Sequence, residues 1–403
     1  MFLEGLNVLD VGSYVAAPAA ATVMGDFGAN VIKVEPPSGD PYRELLGMVV
    51  TEYPNFFWDL DGRNKRSLSI DLMSEKGRGV ILKLIEQADV FVTNYRPELL
   101  EKLSLAYEQV SEIKPEIIYG QINAFGLKGP DANRTGFDAT AWWASSGMMD
   151  YVRRPDAMPA GSSAGMGDHP TSMSLFGGLM GALYRREKTG KGAHVQTSLL
   201  ASGAWGHSML IQGALVGYDP TENRTVDDLK NLPLAATYET KDGRIILLCI
   251  LNPDKEWSKF VRAIGREELL LDERFSERTT RMMHGPELYD ILLELFSAHD
   301  SVYWRERLDA HEITYAFAAS LSEVINNEQM YANDILVEMS PGRQLYAHTI
   351  NSPIWIAGEN KVTPVIAPNI GEHTSEILSE IGLSETEIET MLQEGVIVQG
   401  SDA

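Results

Sequence analysis

The clearest chemical candidate in the sequence is an aspartate set between glycines and a helix start, Gly165–Met166–Gly167–Asp168–His169–Pro170. Pro170 suits the first turn of a helix, where its missing N–H costs nothing. Asp168 therefore falls at or just before the positive end of the helix that follows. Free amides and the helix dipole favour an ionised carboxylate there by about 0.3–1 kcal/mol at exposed sites. The same amides can hold the oxyanion of a tetrahedral intermediate, and Gly165 and Gly167 let the backbone approach a reacting group closely. A carboxylate so placed is either a nucleophile or a simple helix cap, and the local sequence leaves both open. His169 is read as a group that orients Asp168, with proton carrier as the other role.

Other chemistries find little support. The eight histidines are scattered, with no HExxH and no Cys–His clustering of zinc type, so no metal is expected. There is no G-x-S-x-G elbow and no Walker A loop. After the first strand, GSYVAAPAA has one glycine where a dinucleotide fingerprint has three, and Glu35 alone at the end of the second strand is half a signal. No cofactor is expected. The single cysteine, Cys249, lies in the apolar run RIILLCIL, where a buried, inert thiol is the expectation. One cysteine rules out an internal disulfide framework and fits a reducing compartment, so a cytoplasmic location is expected. With 57 acidic against 34 basic residues the net charge is −23, which repels nucleic acid and anionic membrane surfaces. An anionic ligand would need a local basic pocket. No run of about 18 apolar residues suggests a membrane span, and MFLEGLNVLDVGS lacks the pattern of a secretory signal.

The elements that must position these groups read as α/β. Short β-rich runs at 7–12, 30–35, 89–94 and 116–121 alternate with helical stretches at 16–28 and 74–88, the pattern of a mainly parallel sheet. A helix from about Pro170 to Arg186 and an apolar one from about Leu199 to Val216 follow. The polar stretch GYDPTENRTVDDLKN then marks a boundary. Beyond it, LAATYETKDGRIILLCIL predicts a hairpin turning at Asp242–Gly243, and helices are expected near 254–265, 286–299 and 301–311. Strand-like sequence returns near 344–356, and the chain closes with a loop and two short helices. The expected division is a large α/β domain over 1–218, a small α+β domain over 219–330, and a return to the large domain over 331–403.

Several segments together resemble the class III CoA-transferase family. They are DFGANVIKVEPPSGDPYR (26–43), GRNKRSLSIDL (62–72), VTNYRPELLEKL (92–103), YGQINAFGLKGP (119–130), GFDATAWWASSG (136–147), GMGDHPTSM (165–173) and PNIGEHTSEILSEIG (368–382). They occur in the family's order over nearly the whole chain. The resemblance implies a Rossmann-like parallel-sheet domain built from both chain ends, a smaller domain from the middle, and two protomers interlocked as a homodimer. It also implies that Asp168 attacks an acyl thioester. A carboxylate suits CoA exchange, because the mixed anhydride it forms is close in energy to a thioester.

CoA carries a pyrophosphate and a 3′-phosphate, and the cations in the matching segments are Arg43, Arg63, Lys65, Arg66, Arg96, Lys102 and Lys128. By the resemblance, Asn94, Tyr95 and Lys102 fall where family members contact the nucleotide end. Some members place an arginine right after the second strand's acid, where Pro36 and Pro37 stand here, and Arg43 is the expected substitute. The loop Gly12–Pro18 borders the acyl end by the same analogy, with Tyr14, Val15 and Ala16 nearest. Trp142 and Trp143 suggest an apolar wall, with core packing the plain alternative.

Acyl-CoA racemases of the same superfamily carry their proton-transferring histidine in a G-H-D triplet. Here the triplet is Gly136–Phe137–Asp138, and phenylalanine carries no proton. A racemase would need another base, with His169 the only sequence neighbour that could serve, and it stands with a non-catalytic CoA-binding protein as the alternatives. The segments resemble most the branch that moves CoA between enoates and (R)-2-hydroxy acids in amino-acid fermentation, of phenyllactate or 2-hydroxyisocaproate type. The expected partners are an acyl-CoA, a carboxylic acid and a second copy of the chain.

Overall fold

A computed structural model describes residues 1–45, 53–222, 224–343 and 346–400. The chain divides into two compact units. The first comprises Met1–Val152, Ala160–Tyr218 and Glu328–Ala403, the second Arg153–Pro159 and Asp219–Asn327. The sequence placed the boundaries at 218 and 330 and did not separate Arg153–Pro159. That segment is tied to the second unit by Arg224, which donates to the Arg153 carbonyl at 3.3 Å.

The first unit begins with β1 (Asn7–Asp10), α1 (Ala16–Asp26) and β2 (Asn30–Glu35). Then come α2 (Tyr42–Leu45), α3 (Phe56–Gly62), β3 (Lys65–Ile70), α4 (Glu75–Gln87) and β4 (Val90–Thr93). α5 (Pro97–Leu103), α6 (Tyr107–Ile113) and β5 (Ile118–Asn123) follow, then a π-helical stretch over Asp138–Ala144 and α7 (Met148–Val152). The long α8 (Asp168–Thr189), β6 (Ala193–Ser198), α9 (Leu199–Gly206) and α10 (Ser208–Leu215) complete this part. The apolar run predicted as one helix from 199 to 216 is thus two, broken at His207.

The sheet runs β3-β2-β1-β4-β5-β6 in parallel, and the C-terminal strand Ile397–Val398 pairs antiparallel with β3 at its edge. Strand order reverses between β1 and β4, in register Leu9 to Phe91. In open α/β sheets such a switch point leaves a crevice outside the carboxyl ends of the strands, where ligands bind. Both faces of the sheet are covered, so its inner strands are buried on both sides, as parallel sheets require, while the edge strand β6 is only partly buried. α1 is rich in alanine and buried along its whole length, which lets α8 pack closely over it, with Phe27 stacked on Phe176 at 6.3 Å.

The second unit carries a three-stranded antiparallel sheet of β7 (Thr237–Glu239), β8 (Ile245–Leu248) and β9 (Tyr315–Phe317). The turn predicted at Asp242–Gly243 joins the first two, with Gly243 at φ +77°. α11 (Pro253–Ala263), α12 (Arg278–Met283), α13 (Gly285–Ser297) and α14 (Ser301–Ala310) accompany it around a core that includes Trp257, Phe260, Phe296 and Trp304. Cys249 is half-buried rather than fully enclosed. Back in the first unit, β10 (Leu336–Arg343) and β11 (Tyr346–Ile350) form a hairpin, and the helices Thr374–Glu380 and Glu385–Gln393 close the chain. Residues 344 and 345 of the strand-like segment predicted near 344–356 lie outside the described residues. Among the described residues, no helix is long and apolar enough to cross a membrane.

Candidate active site

The crevice at the switch point is a cavity of about 370 Å³ inside the first unit. Its walls are Ser13, Tyr14, Val15 and Ala16 after β1, Asn94, Tyr95 and Arg96 after β4, Asn123 at the end of β5, Leu199 after β6, and Arg134 and Phe137 before the π-helix. Asp168 also lines it. Of the residues singled out in the sequence, this brings Asp168, Tyr14, Val15, Ala16, Asn94, Tyr95 and Arg96 to one place.

The β1–α1 loop is held from below by buried charge. Asn94 spans the switch point, accepting from Ser13 N at 2.8 Å and donating to Ser13 O at 2.7 Å. Asp40 accepts from Tyr14 N at 3.1 Å. Lys33, fully buried, donates to Gly12 O at 2.6 Å and pairs with Asp40 at 2.7 Å, while Lys65 pairs with Asp10 at 2.8 Å. Asp10 and Asp40 raise the Lys33 ammonium above its ordinary value even though burial opposes this. These partners keep Tyr14 in the left-handed region at φ +60°, a conformation that costs a non-glycine residue on the order of 1–2 kcal/mol. The Tyr14 ring meets Phe137 edge to face, with centroids 5.5 Å apart.

Asp168 is the first residue of α8, and Gly167 caps the helix without a side-chain bond. The glycine loop is clamped on both sides. A Cβ on Gly167 would lie 2.5 Å from Cγ of Trp142, so only glycine fits there. Asp138 Oδ2 accepts from Gly167 N at 3.1 Å, and the His169 ring closes over Gly165, which has φ +72°. Burial first, and then the nearby carboxylate of Asp138, push the Asp168 carboxyl up to about 7. The preference of a helix start for an ionised carboxylate is therefore outweighed here by desolvation and like charge.

His169 contacts Asp61 Oδ1 through Nε2 at 3.0 Å and the Gly165 carbonyl through Nδ1 at 3.2 Å. Asp61, on the last turn of α3, is buried and also accepts from Tyr42 Oη at 2.8 Å. A second cavity, of about 640 Å³, is lined by Asp61, His169 and Pro170 together with apolar side chains that include Met173 and Trp355.

The remaining candidates lie elsewhere. Arg43 is spent on Glu35 through two bonds of 2.7 and 2.8 Å, on the Pro368 carbonyl at 3.1 Å, and on the face of Trp58 at 3.7 Å. It is not a cavity cation. Lys102 and Lys128 are exposed and do not line the cavity. Arg63 and Lys65 are held by Asp26 and Asp10, and Arg66 by Glu376 and Glu380. Trp142 and Trp143 are buried in the core instead of forming a cavity wall, with Trp143 Nε1 donating to Ala160 O at 2.9 Å. Arg134, over Phe125 at 4.9 Å, was missed. Its signal was its place just before the G-F-D triplet. Asp61 and Tyr42 had no local signal.

The fold and site together place an open, mainly parallel α/β sheet under a carboxylate at a helix head, beside the switch-point crevice. The family model described as CoA-transferase family III matches residues 3–374, and the chain belongs to that family. It is 33% identical to (R)-2-hydroxy-4-methylpentanoate CoA-transferase of Clostridioides difficile over 98% of this chain and 100% of the relative. It is 31% identical to cinnamoyl-CoA:phenyllactate CoA-transferase of Clostridium sporogenes over 96% and 95%. A crystal structure of a CAIB/BAIF family protein from Brucella suis superposes with a TM-score of 0.81 at 26% identity, over 94% of this chain and 99% of that one.

Proposed function

We propose that the protein moves CoA reversibly between an acyl-CoA and a free carboxylic acid, with Asp168 as the nucleophile. The observation that carries this is the Asp168 carboxylate at the head of α8, inside the crevice where the loops after β1 and β4 meet. Asp168 attacks the acyl carbonyl, forming an aspartyl anhydride and releasing CoA thiolate. The thiolate attacks the aspartyl carbonyl, releasing the first acid and leaving an aspartyl-CoA thioester. The incoming acid reverses both steps. Atoms and charge balance without metal, nucleotide or redox cofactor.

Backbone amides at the start of α8 stabilise the tetrahedral oxyanions, and Arg96 and Arg134 at the rim provide the cations for the CoA phosphates. The names of the two relatives, together with the Tyr14–Phe137 pair on the cavity wall, favour an enoyl-CoA and an (R)-2-hydroxy acid with an aromatic or branched apolar side chain. Proton exchange at the acyl α-carbon is not favoured, because Phe137 stands at the racemase histidine's place and both nitrogens of His169 are engaged. The acting form is a cytoplasmic homodimer with interlocked protomers. Support for a covering second copy comes from exposed apolar side chains on α9 and α10, among them Trp205, Met209 and Leu215.

The test is mass spectrometry after incubation with cinnamoyl-CoA and a hydroxylamine quench. A mass shift at Asp168, absent in Asp168→Asn, is expected. An unmodified peptide with solvent deuterium in the acyl group would instead establish a racemase, and bound CoA without either change would establish a binding protein.

A further inference from the structure

The groups around His169 do not all belong to the chemistry just described. Its ring sits between two acceptors, the Asp61 carboxylate at 3.0 Å and the Gly165 carbonyl at 3.2 Å. A neutral imidazole has a single N–H and donates to one of them, while an imidazolium donates to both; the Gly165 carbonyl also accepts from His169 N at 3.2 Å. Asp61 is built to remain an anion. Its second oxygen accepts from Tyr42 Oη at 2.8 Å, and its own backbone carbonyl takes the Thr22 hydroxyl at 2.5 Å, fixing the end of α3. The side chain is almost wholly buried, so it meets its charge with these partners and not with water.

The charged and titratable groups around the ring come from several elements. Asp61 and, behind it, Arg63 come from the end of α3, and Tyr42 reaches the ring through Asp61 from α2. Asp168 comes from its own helix. Asp138, from the π-helix, faces Asp168. Two carboxylates therefore bear on Asp168, and His169 is its immediate neighbour in the chain. Resting on the transferase reading above, we propose that Asp61 is a positioning residue that holds His169 as a fixed imidazolium, and that this cation is the counter-charge allowing Asp168 to ionise and attack at neutral pH. The pair acts through Asp168 and touches no reacting atom. The directions of titration agree with this. Asp61 and Asp168 raise the His169 imidazolium against burial, and His169 lowers the Asp168 carboxyl against Asp138.

The role is separable from a structural one by pH. A lost counter-charge moves the midpoint of the acylation profile and is overcome at alkaline pH, whereas a distorted site is slow at every pH. Quenched-flow acylation of Asp168 by cinnamoyl-CoA from pH 5.5 to 9 would be followed in the full-length protein, in His169→Gln and in Asp61→Asn. For His169→Gln the midpoint should rise by about one pH unit. The rate is then about tenfold lower on the acid limb and close to wild type at pH 9. Asp61→Asn keeps the acceptor and the shape. It should shift the profile the same way but less, because the substitution also removes an anion that opposes ionisation of Asp168. In the same variant the ¹⁵N imidazole signal lost in His169→Gln should titrate at lower pH than in the wild type.

Wild-type midpoints in both variants, or a uniform loss at all pH, would overturn the proposal and leave the transferase reading intact. No adduct in the wild type would overturn the transferase reading itself. In that event the ¹⁵N titration still decides whether Asp61 holds the charge on His169.

Discussion

Asp168→Asn should make the protein more stable, and only above the pH at which the carboxyl of the unfolded chain ionises. The carboxyl is pushed from its ordinary 3.8 to about 7 in the folded chain by burial and by Asp138. Between those values the folded state binds a proton that the unfolded state has released, so stability falls as pH rises. The full difference corresponds to about 4 kcal/mol above pH 7, and partial hydration of the half-buried group lowers this to about 2–4 kcal/mol. Asparagine has no charge to desolvate and lacks this loss. Its advantage over the wild type should be near zero below pH 4 and grow at up to about 1.4 kcal/mol per pH unit. About 2 kcal/mol of it develops between pH 5.5 and 8. In calorimetry the melting transition of Asp168→Asn should lie about 2–5 °C above the wild type at pH 8, about half that at pH 5.5, and coincide with it below pH 4. An offset that stays constant with pH would refute the reasoning. It would mean that Asp168 titrates normally and that any gain reflects packing alone.

Asp138→Asn keeps an acceptor for Gly167 N while removing the like charge beside Asp168, so the midpoint of the acylation profile should move towards acid. Lys33→Met leaves Asp40 without its ion pair in a buried site, a loss of about 3–5 kcal/mol that urea denaturation would register. Gly167→Ala puts a methyl group 2.5 Å from Trp142 Cγ and should cost about 1–3 kcal/mol as well as slowing acylation; a wild-type melting temperature would contradict the close approach. Arg134→Ala should raise KM for acyl-CoA with little change in kcat, and the effect should shrink at high salt.

The fold was legible where the elements follow simple patterns. The apolar runs of β1, β2, β4 and β5 and the periodic α4 stand out because burial on both faces leaves few other residue types possible. β3 was recognised only as part of a motif, since KRSLSI reads as polar. Its Lys65 is buried because Asp10, 55 positions earlier, neutralises it, a fact no local window holds. β6 was missed as well, an edge strand whose sequence AHVQTS is only partly buried. At the site, Asp168 was legible from its glycines and Pro170. Arg43 was misread because its type suggested a phosphate, while Glu35 and Trp58 had already claimed it. The sequence left the tryptophan pair open between a cavity wall and core packing, because bulk alone does not say which side of a helix it faces; both are in the core.

What makes this crevice a site is buried charge more than apolar packing. An alanine-rich α1 and a parallel sheet provide a rigid floor, but neither forces Tyr14 into the left-handed region nor fixes a carboxylate against another carboxylate. The first constraint is supplied by Asp10, Lys33, Asp40 and Lys65 with the two bonds from Asn94. Removing any one member leaves a buried charge or amide unpaired, so the loop has few alternative arrangements at comparable energy. The second is supplied by Asp138 through the Gly167 amide and by Asp61 through His169. Each of these anions ties down a different part of the same glycine loop, and each contributes charge at Asp168, whose carboxyl is pushed up to about 7. Positioning and electrostatic tuning are therefore the same interactions here, and a substitution that relaxes the loop also moves the pH at which Asp168 ionises.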